Sequence, residues 1–384
     1  MVKFVHLADV HLGGWKQEPM QKLNFQSFVK AINRIILEKP DFALFSGDLF
    51  DSAYPSIETL KETFAEFKKL YEAKIPVFLI AGSHDYSVSG KTFLDVLEKA
   101  GFCKNITNFE ETEEEIILTP TILNGVAIFG YPGKKSGLEI RDLKKIKLND
   151  TPGLFKIFML HTTIDKVVGT IPMESIKTEE LPYADYYAMG HIHVDFRYKN
   201  FVYPGPVFPN NFKDLEDLRG GSFYIVDTEK RDSLEKVKIE TKDILPITIE
   251  INDATTATDY IIEEIKKYQI RDKIVLLRVK GNLEKGQTSD IKFSEIEDFT
   301  NKEAYFILRN THDLKTKEIN FKTEIKSDNI EKDTIVQYSE ENPSDFNHLM
   351  QELMNALSIE KQEDEKTEAF NKRLLEDAKG VLKF

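Results

Sequence analysis

Residues 2–13 read Val2-Lys3-Phe4-Val5-His6-Leu7-Ala8-Asp9-Val10-His11-Leu12-Gly13, an apolar run that stops in an aspartate and a histidine two positions apart. A short run rich in Val and Phe, closed by a polar or Gly-containing turn, predicts a buried strand. The pattern recurs down the chain. Phe42-Ala43-Leu44-Phe45 runs into Ser46-Gly47-Asp48, and Val77-Phe78-Leu79-Ile80 into Ala81-Gly82-Ser83-His84-Asp85. Lys156-Ile157-Phe158-Met159-Leu160 ends at His161, and Tyr186-Tyr187-Ala188-Met189 at Gly190-His191-Ile192-His193. In open α/β sheets ligands bind outside the carboxyl ends of the strands. Five runs that end in metal-capable side chains therefore predict one clustered site on one sheet edge.

Histidine and aspartate without cysteine suit hard or borderline divalent ions rather than a structural thiolate zinc. In Asp9-x-His11 and His191-x-His193 the spacing of two aims both side chains into one pocket while the middle residue points away. These are more ligands than one tetrahedral ion needs, and Asp48 is placed to bridge. The set implies two metals roughly 3.5–4 Å apart, which clamp the attacking and leaving oxygens of an in-line phosphoryl displacement. The expected reaction is phosphoester hydrolysis. Taken singly, each motif has a plainer meaning: Asp-x-His arises by chance, Gly47-Asp48 suits a turn, and paired histidines suit a pH-sensitive loop. The ordered set carries the expectation.

The series Asp9-x-His11, Gly47-Asp48-x-x-Asp51, Gly82-Ser83-His84-Asp85, His161 and Gly190-His191-x-His193 resembles the calcineurin-like metallophosphoesterase superfamily. The fuller stretches His6 to Gly13, Ser46-Gly47-Asp48-Leu49-Phe50-Asp51 and Tyr187 to His193 resemble its SbcD-type branch, the double-strand-break repair nuclease subunits that partner an SMC-like ABC-type ATPase. The match covers residues 1 to about 230. The resemblance implies an α/β fold, a sandwich of two β-sheets flanked by helices, with a small α/β cap domain and a C-terminal helical tail. It implies that Asp9, His11, Asp48 and His193 hold one metal, and that Asp48, His161 and His191 hold the other, with Mn2+ the usual ion. His84 resembles the family's histidine that stabilises the phosphate or protonates the leaving oxygen, with Asp85 as its orienting carboxylate. The family motif carries Asn where this chain has Ser83, and that Asn carbonyl is a ligand. A serine hydroxyl is a shorter, weaker donor, so the second ion is expected to bind more loosely. Asp51 stands where some relatives carry His, and supports the site from behind the ligands.

The 384 residues contain 52 Lys and Arg against 65 Asp and Glu, a net charge of −13. Nucleic-acid affinity rests largely on cations against phosphates, so weak, salt-sensitive DNA binding is expected for the chain alone. The single cysteine, Cys103, excludes an intrachain disulfide and fits a reducing interior. Without an apolar run of about eighteen residues, neither a membrane span nor a signal peptide is expected. Those features predict a cytoplasmic protein, nucleoid-associated if prokaryotic.

Three segments are expected: 1–244, the nuclease domain; 245–338, a small capping domain; 339–384, a linker with amphipathic helices. Helices are predicted over Gln21 to Glu38, from a Ser56 cap, and over Gly90 to Gly101. Most of their apolar stripes read as core, and the resemblance implies a homodimer to which an exposed part of the second and third helices would contribute. In the second segment, Ile247–Ile251, Ile274–Val279 and Tyr305–Arg309 alternate with helices near 258–268 and 290–299. Its position resembles the family's DNA-contacting cap, although a purely structural role is equally open. In the third, Phe346, Leu349, Met350, Leu353 and Met354 make a Met-rich stripe suited to a partner groove or to docking on its own chain. The resemblance favours the ATPase. Two alternatives remain: a small-substrate or nucleotide phosphodiesterase, and a non-catalytic DNA-tethering subunit weakened at Ser83.

Overall fold

A computed structural model describes residues 2–87, 92–168, 174–229, 234–316, 349–359 and 367–382. The chain divides into two compact units, Met1–Thr316 and Lys317–Phe384.

The first unit contains two six-stranded sheets. In one, the strands Lys3–Leu7, Phe42–Ser46, Val77–Ile80 and Lys104–Asn105 lie parallel side by side, and Gly221–Asp227 and Leu234–Ile239 extend it antiparallel beyond Lys3–Leu7. In the other, Val126–Tyr131, Phe155–His161, Tyr186–Gly190 and Phe201–Pro204 are parallel, with antiparallel strands at both edges. Alternate residues of each strand face opposite ways, and both faces are buried. Phe4, Phe42, Leu44 and Ile80 meet Ile128, Ile157, Met159 and Ala188 between the sheets. Val5, Leu7, Phe45 and Leu79 face the helices Glu18–Glu38 and Ile57–Glu72, through Phe28, Ile32 and Phe67. Each such side chain contributes about 1.5–3 kcal/mol by leaving water. This is the layered α/β sandwich the motifs imply.

The helices begin where local chemistry directs. Ser56 Oγ accepts from the Thr59 N–H at 3.1 Å, the expected cap. The first helix starts at Glu18, earlier than Gln21, because Pro19 falls in its first turn, where a missing N–H costs nothing. The third spans only Phe93–Lys99 from a Thr92 capping box, and residues 88–91 lie outside the described set.

The stretch 244–316 carries its own sheet, with Ile244–Glu250, Ile274–Leu283 and Phe306–Asn310 parallel and in that order. The helices Ala254–Ile265 and Phe293–Thr300 pack on one face through Ile261, Ile265 and Ile296. The first of these begins four residues before the expected Thr258, since Asp253 accepts from the Thr255 N–H at 2.9 Å. On the opposite face Ile274, Leu276 and Leu308 share a core with Trp15, Met20, Leu23, Phe208 and Leu215. The expected 317–338 lies outside the described residues.

In the second unit, Met350–Leu357 and Thr367–Leu382 are helical and pack on one another. Leu349 flanks the first helix and is half-buried, as is Leu353 within it; Met354 is exposed. Met350 opens that helix, and Phe346 lies outside the described residues.

Candidate metal centre

The carboxyl ends of Lys3–Leu7, Phe42–Ser46, Val77–Ile80, Phe155–His161 and Tyr186–Gly190 all reach one edge of the sandwich. The backbone there is forced. Asp9, His11, Asp48 and His191 take φ of 54°, 47°, 50° and 96°, the left-handed region that non-glycine residues seldom adopt. Two glycines make the turns possible by absence: a Cβ on Gly47 would run into the His161 ring, and one on Gly190 into the Ser46 carbonyl. The Asp9 and Val10 N–H groups donate to the Gly47 and Asp48 carbonyls at 3.1 and 2.9 Å, locking the first two loops together.

Among the described residues three groups bring ligand atoms within 4.8 Å of one another: Asp9, His11 and His193; Asp9, Asp48 and His161; and His11, Asp48 and His84. Asp9, His11 and Asp48 each belong to two of the groups and so join them. His161 Nε2 lies 3.1 Å and His11 Nε2 3.6 Å from Asp48 Oδ2. His191 stands beside the cluster and outside those three groups. Its ring centre is 5.1 Å from that of His161, and its N–H donates to Asp9 Oδ1 at 2.9 Å. Ser83 is half-buried, its hydroxyl 3.5 Å from Asp48 Oδ2.

Besides His84, three of these histidines have Nδ1 engaged. His11 Nδ1 meets Asp51 Oδ1 at 3.1 Å, His161 Nδ1 the Ser46 carbonyl at 2.9 Å, and His193 Nδ1 Asp214 Oδ2 at 2.7 Å. Carboxylates and carbonyls accept, so these nitrogens donate and Nε2 is turned to the centre, the arrangement that fixes a metal-binding imidazole. His11 Nε2 and His193 Nε2 then face each other at 3.0 Å, both offering lone pairs. Two such pairs repel unless a proton or a metal cation lies between them. Asp9 Oδ2 is buried without a hydrogen bond. The donor set fits divalent cations.

The electrostatics agree. Burial disfavours the His161 imidazolium, but Asp48 and then Asp9 override it and push its pKa up to about 10. Burial likewise opposes the Asp48 charge, yet His161 and His11 hold that carboxyl well below its usual range. His191 goes the other way, to about 4, through burial and the positive His161 beside it. A cation held there would compete with the His161 proton, so its uptake would be coupled to proton release.

His84 is exposed, and its Nδ1 donates to the Asp51 carbonyl at 2.9 Å, which fixes the ring's orientation. Asp85 does not orient it. The Asp85 carboxylate is buried and accepts from the Leu49, Phe50 and Gly82 N–H groups at 3.1, 2.9 and 3.1 Å, tying the Asp48 loop to the His84 loop. Adjacent residues in this tight turn point apart, so sequence neighbourhood misassigned its partner. Burial and the Asp48 charge raise Asp85 to about 6. Asp51 has the orienting role for His84 and for His11, and Asn210 Nδ2 donates to Asp51 Oδ1 at 3.2 Å. Sequence reasoning missed Asn210, Asp214 and the Ser46 carbonyl. The available signal was the polar Asn210-Asn211-x-x-Asp214 cluster after the Pro204-Gly205-Pro206 turn.

Residues 2–195 match the calcineurin-like phosphoesterase family. The DNA double-strand break repair protein Mre11 of Methanocaldococcus jannaschii is 31% identical over 267 residues, covering 64% of this chain and 69% of that protein. The SbcD component of the SbcCD nuclease of Staphylococcus epidermidis is 27% identical over 300 residues, covering 69% and 75%. The Mre11 of Sulfolobus acidocaldarius is 22% identical over 342 residues, covering 85% and 87%. The chain belongs to the calcineurin-like phosphoesterase family and is similar within it to Mre11 and SbcD.

Proposed function

We propose that this chain is the nuclease subunit of a DNA end-processing complex, a phosphodiesterase that uses two divalent ions, Mn2+ by preference. The observation that carries the reading is the inward-facing His11, His193, Asp9, Asp48 and His161 set, each histidine held by its Nδ1. Its relatives' names supply the substrate class. Asp9, His11, Asp48 and His193 hold one ion; Asp48, His161 and His191, with Ser83 as a weak or water-mediated donor, hold the other. Bound there, the two ions supply Lewis-acid activation of water and neutralise charge on the phosphodiester. His84 Nε2 gives a proton to the leaving oxygen, which contributes ~10²–10⁴ in rate. The Asp51 carbonyl keeps that ring turned outward, and the strained strand ends hold the remaining side chains in place before substrate arrives.

In this reading 245–338 is a cap that contacts DNA, 339–384 carries the ATPase-binding helix with Phe346, Leu349, Met350, Leu353 and Met354, and the chain works as a homodimer in the compartment that holds DNA. Among the described residues no helix is long and apolar enough to cross a membrane. The test is Mn2+-dependent cleavage of end-labelled duplex and single-stranded DNA, with a bis-aryl phosphodiester in parallel and with and without the SMC-like ATPase. DNA cleavage lost in His84→Ala supports the nuclease. Cleavage of the small diester alone supports the small-substrate enzyme, and silence in every arm supports a tethering role.

A further inference from the structure

The helix Phe212–Leu218 is two turns long, and three consecutive residues on it face three different neighbours. Asp214 Oδ2 accepts from His193 Nδ1 at 2.7 Å and from the Asn210 N–H at 3.1 Å. Leu215 is fully buried under the sheet of 244–316, in the core it shares with Ile274, Leu276 and Leu308. Glu216 Oε2 accepts from Arg278 Nη2 at 2.7 Å, and the same guanidinium lies 5.3 Å from the centre of the Phe212 ring. At the helix end, Arg219 donates to the Ile244 carbonyl at 2.8 Å. The segment is thus fastened to the small sheet at four successive points, while its one inward carboxylate grips a metal-facing histidine.

We propose that Asp214 is a positioning residue for His193 and that the small domain, through this helix, sets the affinity of the metal position His193 serves. The inference rests on the metal-centre reading above and adds a determinant to it. The chemistry is that of an outer carboxylate on a ligating imidazole. It fixes which nitrogen carries the proton, aims the other, and makes it more basic, and removing such partners costs metal affinity about 10–100-fold. Asp51 does the same for His11 from a different loop. The Asp214 attachment differs because its backbone is seated on another sheet. Any displacement of 244–316 that shifts Leu215 or Glu216 moves the Asp214 carboxylate, and His193 follows it.

The experiment is a Mn2+ titration of the full chain, followed by calorimetry and by the spin-resonance signal of free Mn2+, for wild type, Asp214→Leu, Asp214→Asn, Arg278→Met and Arg309→Met. Asp214→Leu is expected to weaken one Mn2+ position roughly 10–100-fold and leave the other within about twofold. Asp214→Asn keeps an acceptor for both N–H groups without the charge and falls between the two. Arg278→Met weakens the same position severalfold. Arg309, on the same domain and paired with Glu297 at 3.1 Å, is the control and changes nothing. Thermal unfolding of each metal-free variant separates loss of the position from loss of the fold. Unchanged affinity in Asp214→Asn together with Asp214→Leu overturns the positioning role. A weakened Asp214→Leu with an unaffected Arg278→Met overturns the coupling to the small domain. A wild-type chain that takes up no Mn2+ overturns the metal-centre reading and this inference with it.

Discussion

Two parallel sheets in this chain are built alike and finished differently. The sheet of Lys3–Leu7, Phe42–Ser46 and Val77–Ile80 and the sheet of 244–316 both stack Val-, Ile- and Phe-rich strands under amphipathic helices. At the ends of the first pair of strands, Asp9, His11 and Asp48 hold positive φ. Buried polar atoms without partners lie at the same edge, among them Asp9 Oδ2 and Ser46 Oγ. Among the described residues of 244–316 there is no such buried atom, and Asp272 is the one non-glycine residue at positive φ. Strain and unmet polar valence are costly. Asp9, His11, Asp48 and His191 concentrate that cost at one edge of the sandwich, where the fold is organised around a ligand, whereas the sheet of 244–316 is organised around its own packing.

The comparison breaks most sharply at Asp48. Asp48→Ala removes the carboxylate that both His11 and His161 face and is expected to abolish Mn2+-dependent phosphodiester hydrolysis, read by a diester or DNA cleavage assay. Retained turnover would detach the chemistry from this edge. Next, His84→Ala is expected to lower kcat by ~10²–10⁴ while Mn2+ affinity holds, which a paired rate and binding measurement separates. Beside the small sheet, Ile261→Ala is expected to cost ~2–5 kcal/mol of stability, measured by denaturant unfolding, with Mn2+ affinity of the folded protein unchanged.

The last effect concerns pH. His6, buried between the sheets with its Nδ1 2.9 Å from the Tyr186 hydroxyl, has its pKa lowered from 6.5 to about 3, chiefly by burial. The unfolded chain therefore takes up a proton that the folded chain refuses. Stability from this residue is complete above about pH 6.5 and falls by about 1.4 kcal/mol per unit as pH drops towards 3. His6→Gln, which does not titrate, is expected to flatten the pH dependence of unfolding by that slope between pH 6 and 4. Equal slopes would contradict the burial argument.

Much of the site was legible because its chemistry is local to strand ends. Asp9, His11, Asp48, His161 and His193 each sit at the stop of an apolar run, and the sheet edge gathers them. Asp214 and Asn210 were not legible, since they reach the centre through a helix and a turn with no apolar run before them. Asp85 misled because a strand-end turn sends adjacent side chains to different partners. The strand Val126–Tyr131 carries no ligand and so lacked the signal that singled out its neighbours. In 244–316 the alternation gave the elements, and Asp253 moved one helix start because a cap depends on a side-chain bond rather than on periodicity.

The most direct test of the two-ion centre is the low-temperature spin-resonance spectrum of the full chain as Mn2+ is added stepwise. One tight ion is expected, then a second that binds more loosely across Ser83, and an exchange-coupled signal once both are present. The coupled signal should appear at lower Mn2+ in Ser83→Asn and be lost in Asp48→Ala. A single uncoupled ion at saturating Mn2+, unchanged by Asp48→Ala, would contradict the two-ion centre.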